Sequence, residues 1–333
     1  MAKASEEVRV QKRVYESRVP LLRESLIQLQ VALQTLRFPV LLVIAGDKAS
    51  GKGELVNTLN GWLDPRGVET FAFHDLSDEE RERPLMWRYW RSLPPRGRMA
   101  IYAGGWHTDA LEEEPRTPRE LRQFDKTLQH LAHFEGLLAA EGALIVKVWL
   151  HLSKEAQQAR LSELEEDPDT AWRVSPEDWK HHRDYEHRAE LAERMRRATH
   201  RPGAPWRVID ATDPRACNLA VADLFLARFH AHRHEQNRIR HPPRPRRVEP
   251  LRPSGLRRLQ ALPLDQRMSE TAYEAKRAKW LGRLNRAVRA AAECGRSIVW
   301  VFEGWDAAGK GGAIRRLTSA IDARDYRVIP IAK

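Results

Sequence analysis

Two glycine-lysine loops, 258 positions apart, constrain this chain more than any other feature. Residues 46–54 run Gly46-Asp47-Lys48-Ala49-Ser50-Gly51-Lys52-Gly53-Glu54, and residues 304–312 run Gly304-Trp305-Asp306-Ala307-Ala308-Gly309-Lys310-Gly311-Gly312, each behind a short apolar run. The same offset, with no gap, sets Tyr15 against Tyr273, Leu26 against Leu284, Leu59 against Leu317, Asp64 against Asp322 and Arg66 against Arg324. One long, fixed offset marks a duplicated domain, whereas solenoids repeat every ~20–50 residues. A length of 333 residues suits about two domains. Composition divides the chain into a first unit over 1–230, an Arg-, His- and Pro-rich stretch over 231–264 that predicts an extended linker, and the start of a second unit over 265–333. The second copy reaches Lys333 after about 60–70 residues, against the ~100–200 usual for a domain, so it is expected to be incomplete.

The formal charge of +11 favours a polyanionic partner: a nucleotide, inorganic polyphosphate or nucleic acid. The basic residues are dispersed and no nucleic-acid-binding signature accompanies them, so no specific nucleic acid is expected. Only Cys217 and Cys294 are present, which excludes a disulfide framework or a cysteine zinc site and suits a reducing cytoplasm. The N-terminus lacks the apolar core of a signal peptide and no run approaches the ~18 apolar residues of a membrane span, so no membrane partner is expected. A homo-oligomer remains compatible with all of this.

Apolar positions at Val14, Leu21, Leu22, Leu26, Leu29, Leu33 and Leu36 carry helical spacing that Pro20 is expected to break. Val40 to Ala45 is an unbroken apolar run, as in a strand buried on both faces of a parallel sheet. The first loop follows, and Leu55, Val56, Leu59 and Leu63 then describe a helix. Strand, glycine loop and helix in that order form the P-loop unit. Residues 70–73, 99–103, 143–152 and 206–210 read as further strands, with helices over 86–93, 154–165, 175–199 and 215–230. Alternation of this kind predicts an α/β fold with a mainly parallel sheet flanked by helices, present twice.

Backbone N–H groups of such a loop close around phosphate oxygens while the helix dipole and a lysine neutralise charge. Gly46, Lys48, Ser50, Gly51, Lys52 and Gly53 are therefore the candidate phosphate-binding residues of the first loop, and Gly304, Gly309, Lys310, Gly311 and Gly312 those of the second. Arg315 and Arg316, early on the following helix, are added as phosphate contacts. The residue after the lysine is usually Ser or Thr, whose hydroxyl holds Mg²⁺. Here it is Gly53 or Gly311, which leaves Asp306 to hold Mg²⁺ or to orient an attacking oxygen. At the corresponding place the first loop has Lys48, which can do neither. Asp306 and Lys310 are accordingly the candidate catalytic pair.

Residues 301–312, VFEGWDAAGKGG, resemble the opening of the catalytic domain of the family 2 polyphosphate kinases, whose loop carries Asp before AAGKGG. The first copy resembles the same family along its length, through residues 77–97, IYAGGWHTDAL at 101–111, residues 134–161, residues 167–179 and APWRVID at 204–210. The tandem arrangement is similar to that of the polyphosphate:AMP phosphotransferases. The resemblance implies a P-loop kinase-like sheet under a helical lid, with the lid over about 154–200 in the first copy. It implies Mg²⁺ as cofactor, and inorganic polyphosphate with a nucleotide, AMP or ADP, as substrates. The family's Asp-Arg-Ser-Trp-Tyr stretch falls on Ala103-Gly104-Gly105-Trp106-His107, where only the Trp agrees. The first copy is thus expected to be a degenerate partner and the second the catalytic type. Two other functions stay open on the residues: a non-catalytic polyphosphate- or nucleotide-binding protein, and an ATP-dependent small-molecule kinase.

Overall fold

The computed structural model describes residues 10–73, 75–168, 170–239 and 267–329. β1 (Val40–Gly46), β2 (Val68–Ala72), β3 (Met99–Ala103), β4 (Leu144–His151) and β5 (Trp206–Asp210) form one sheet in the order β2-β3-β1-β4-β5. All four pairings are parallel, so the α/β fold expected from the alternation of elements is the fold. The helices are α1 (Lys12–Leu36), α2 (Lys52–Trp62), α3 (Asp78–Arg81), α4 (Trp87–Arg91), α5 (Gly105–Glu112), α6 (Pro118–Ala140), α7 (Lys154–Glu166), α8 (Pro176–Arg183), α9 (Tyr185–Thr199), α10 (Pro214–Ile239), α11 (Glu270–Glu293) and α12 (Lys310–Thr318).

β1 lies between β3 and β4, so both its edges are paired, and helices cover both its faces, which is why its sequence has no polar alternation. Val40, Leu42 and Ile44 pack against Leu26, Leu29 and Leu33 of α1, Val56 and Leu59 of α2 and Phe225 of α10. Leu41 and Val43 face the other way, onto Trp106 of α5, Phe124, Leu128 and Leu131 of α6 and Met195 of α9. Every parallel crossover runs through helix, which leaves the carboxyl ends of β1, β3 and β4 together at one edge. The first loop leaves the sheet there.

Several elements differ from their sequence reading. α1 passes unbroken through Pro20, which stands on its exposed side, so the carbonyl that loses its partner faces solvent rather than the core. α5 and α6, unassigned in the sequence, follow β3. A capping box, Thr117 with Glu120, and Pro118 in the first turn start α6. The helix expected over 175–199 is two, α8 and α9, meeting at Asp184. α10 runs to Ile239, past the boundary at 230, because the first prolines come only at Pro242 and Pro243 and His232 packs on Phe38 at 4.6 Å. The linker over 240–264 lies outside the described residues.

The second copy has α11 and α12 at the offset of α1 and α2. Between them, residues 298–303 correspond to β1 yet pair with no strand among the described residues. Its turn at 321–326 packs onto the first copy: Ile321 and Ala323 are buried, and Ala323 and Tyr326 join the core around α2.

Candidate functional site: two loops of one geometry

Both loops have the same backbone. Gly51 and Gly309 sit at φ 78° and 82°, in the left-handed region that frees the N–H groups behind them to turn inward, and Ala49 and Ala307, two residues earlier, sit at φ 58° and 60°. Gly46 approaches β4 so closely that a Cβ there would lie 2.4 Å from the carbonyl oxygen of Leu150. Lys52 Nζ donates to the carbonyls of Gly46 at 2.9 Å and Asp47 at 2.7 Å; Lys310 Nζ donates to those of Gly304 and Trp305, both at 2.6 Å. Each copy then closes α2 or α12 with the same fork. Arg66 binds Asp64 through Nε and Nη2 as Arg324 binds Asp322, holding both carboxyls below their usual range although burial pushes them up. The duplication read from spacing is therefore a duplication of geometry.

The surroundings divide the loops. Burial, and next the ammonium of Lys48, lower Lys52 to about 8. Lys48 itself reaches Glu112 Oε1 at 3.2 Å. Asp47 is turned out of the loop: its Oδ2 accepts from the Leu152 N–H at 2.9 Å and lies 2.8 Å from His151 Nδ1, raising His151. It ties the end of β4 to the loop and offers nothing to a phosphate. Ser50 is buried, with no hydrogen-bond partner for its hydroxyl among the described residues. Gly53 faces the other copy, a Cβ there lying 3.8 Å from Asp322 Oδ2.

In the second loop Gly304, Asp306, Gly309, Lys310, Gly311 and Gly312 come together at the start of α12. Asp306 is exposed, and its Oδ1 accepts from the Ala307 N–H at 3.1 Å, which leaves the rest of the carboxylate for a cation. One carboxylate beside bound phosphates suits Mg²⁺, which keeps several waters and takes few protein ligands. The two arginines part company. Arg315 Nε donates to the carbonyl of Leu63 in the first copy at 2.7 Å, so it serves the contact between copies rather than the loop. Arg316 is exposed and lies beside Gly312, where a Cβ would be 3.6 Å from Nη1.

The strand-end stretch of the first copy is structural. Gly104 and Gly105 at φ 90° and 64° turn β3 into α5, and Trp106 is buried with Nε1 donating to Glu135 at 3.1 Å. Sequence reasoning missed Glu54, Glu112, Glu114, Gln157 and His181, which gather around the first loop from α2, α5, the turn after α5, α7 and α8. Glu54 was legible in the offset comparison, since Gly312 stands opposite it. Glu112, Glu114 and His181 are close enough to hold a cation, but Lys48 and Arg188 already lie against these carboxylates, so a divalent ion would meet two positive charges.

Comparison with known proteins agrees with this architecture. The chain is 41% identical over 325 residues to the polyphosphate:AMP phosphotransferase of Pseudomonas aeruginosa, and 37% identical over 321 residues to that of Pseudomonas syringae pv. tomato. Those alignments cover 97% and 96% of this chain but only 65% and 64% of the relatives, so the chain spans less than two thirds of their length. A solved Pseudomonas aeruginosa structure assigned to polyphosphate kinase 2 superposes with a TM-score of 0.60 at 38% identity, over 98% of this chain and 63% of that one. The polyphosphate kinase 2 of Arthrobacter aurescens shares the fold, with a TM-score of 0.64 at 24% identity over 69% of this chain and 83% of that one. The family description "Polyphosphate kinase 2" matches residues 9–237 and 267–333, which hold both loops, and the chain belongs to that family.

Proposed function

We propose that the protein carrying this chain transfers the terminal phosphoryl group of inorganic polyphosphate to a nucleotide, AMP giving ADP, and that the second loop serves the transfer. The observation that carries this is the pair Asp306 and Lys310 on a loop whose backbone repeats that of the first, where Lys48 replaces the acid and is held by Glu112. In the reaction an oxygen of the AMP phosphate bonds to the terminal phosphorus as the bridging P–O bond breaks, leaving polyphosphate one unit shorter. Such transfer asks for positioning and charge neutralisation rather than covalent chemistry by the protein. Lys310 would leave the carbonyls of Gly304 and Trp305 to bind phosphate oxygens, and the loop amides would fix the chain end. Asp306 would hold Mg²⁺, whose positive charge would offset that of the phosphates, or would orient the attacking oxygen. The domain division, with a catalytically silent first unit and a second unit from about 265, and action in the cytoplasm belong to the same proposal. The names of the two Pseudomonas relatives support the substrates.

Incubating the protein with AMP, polyphosphate and Mg²⁺ and following ADP by phosphorus NMR tests this. ADP formation is expected to vanish in Asp306→Asn and Lys310→Ala and to survive Lys52→Ala. Loss on Lys52→Ala with survival of Asp306→Asn would place the chemistry in the wrong loop. Polyphosphate binding with no ADP would favour the second reading, a non-catalytic polyanion-binding protein, which the replaced acid of the first loop supports.

A further inference from the structure

Four cations around the first loop are already held by carboxylates of the same chain. Glu54 stands two residues after Lys52 in the first turn of α2, where α12 has Gly312 and no side chain. Its Oε1 lies 2.8 Å from Arg173 Nη1 and 3.4 Å from Arg160 Nη2. This contact is made at the mouth of the loop, since a Cβ on Gly51 would sit 3.2 Å from Arg160 Nη2 and 3.7 Å from Glu54 Oε2. Across the loop, Glu112 lies 3.2 Å from Lys48 Nζ and 3.4 Å from Arg188 Nη2. α7 is stapled down as well. Gln157 Nε2 donates to the Lys48 carbonyl at 3.0 Å, and Gln157 Oε1 lies 2.9 Å from His182 Nδ1. The first loop thus carries a base where the second has Asp306, and an acid where the second has nothing.

We propose that Glu54 is a built-in anion that neutralises the two guanidinium groups at the mouth of the first loop, so that this copy excludes polyphosphate and keeps α7 closed over its loop. A single exposed ion pair would not do this, because such pairs are weak. Here two guanidinium groups converge on one oxygen. A tethered carboxylate competes at an effective concentration in the millimolar range or above. If a polyphosphate broke the pairs, the freed carboxylate would still repel it at contact distance. The consequence for specificity is that phosphate binding is confined to the second loop by one side chain, not by loss of the loop's geometry.

This rests on the reading of the loops as phosphate sites, but not on any transfer reaction. Tripolyphosphate titrated by calorimetry into the wild type and Lys310→Ala shows first whether the second loop binds. Loss of binding in Lys310→Ala is the expected result, and a wild type that binds nothing sinks the phosphate-site reading and this inference with it. Adding Glu54→Gly to Lys310→Ala should restore saturable binding at least about tenfold tighter than any residual, and Lys52→Ala or Arg160→Ala should abolish it again. Glu54→Gln removes the charge while keeping a good helix former, and should restore binding in the same direction. Circular dichroism checks that each variant is folded. Lys310→Ala that still binds, with the binding lost on Lys52→Ala, would show the first loop open and overturn the proposal. Folded Glu54 variants that gain nothing would overturn it too.

Discussion

Lys147 lies in the middle of β4, fully buried, with its ammonium 2.6 Å from Glu135 Oε2 and 2.7 Å from the carbonyl of Thr199. Glu135 also accepts from Trp106, and its Oε1 lies 3.1 Å from His107 Nε2, so one α6 carboxylate gathers the first copy's strand-end residues. Nothing in the local sequence announced this, because a lysine in an apolar strand and a glutamate on a helix become partners only when the sheet and α6 are stacked. Burial pushes His107 below its usual range, with Glu135 opposing and Lys147 adding to the effect. Burial alone would raise Glu135, but its contacts with His107 and Lys147 outweigh that and hold it low. Arg201, beside Lys147, is the other charge near the group. Both shifts mean that the unfolded chain binds more protons as the solution is acidified. Stability should therefore fall as pH drops through the ordinary imidazole value of about 6.5, and further as Glu135 protonates below about 4.3. Urea unfolding at pH 7.5 and 5.5 checks the first step, which should be less steep in His107→Gln by up to about 1.4 kcal/mol per pH unit. A stability that does not change over that interval would contradict it.

The same apolar run meets two fates in the two copies. In β1, Leu41 and Val43 are 1% and 0% exposed; at the corresponding places Val299 and Val301 are 82% and 75% exposed. The strand character was legible in both runs, but a strand is made by its neighbours, and only β1 has β3 and β4 beside it. Leu41→Ala should cost about 2–5 kcal/mol in urea unfolding, as a cavity in a packed core does. Val299→Ala should change stability by less than about 0.5 kcal/mol. Equal costs at the two positions would show that the second run is packed in solution. α2 was legible from the glycine loop before it and the periodic Leu55, Val56 and Leu59 that it buries. α6 carries a start signal in Thr117, Pro118 and Glu120 and a periodic face in Phe124, Leu128, Leu131 and Leu138, so it too was legible although the sequence reading did not assign it.

Across the whole molecule the second copy rests on the first through equivalent elements. α12 lies against α2, with Arg315 on the Leu63 carbonyl, Tyr326 Oη 3.1 Å from Asn60 Nδ2, and Arg327 Nη2 3.3 Å from Glu69 Oε2. Tyr326→Ala should loosen this contact, and hydrogen exchange in α12 and the turn at 321–326 should quicken while exchange in β1 stays slow. Unchanged protection in α12 would mean that the contact does not hold it. None of these partners was visible in the sequence, where Arg315 reads as a phosphate contact because it is a cation early on the helix after a glycine loop. By itself the sequence determined the duplication, the strand-loop-helix unit, the parallel α/β fold and the exchange of Asp306 for Lys48. These are matters of spacing and residue type, which survive without knowing what lies opposite. Only the tertiary structure decided that Asp47 ties β4, that Arg315 serves the other copy, and that Glu54 and Glu112 cover the cations of the first loop. Each of those depends on groups far apart in the chain meeting in space, and a charge takes its role from the partner it meets.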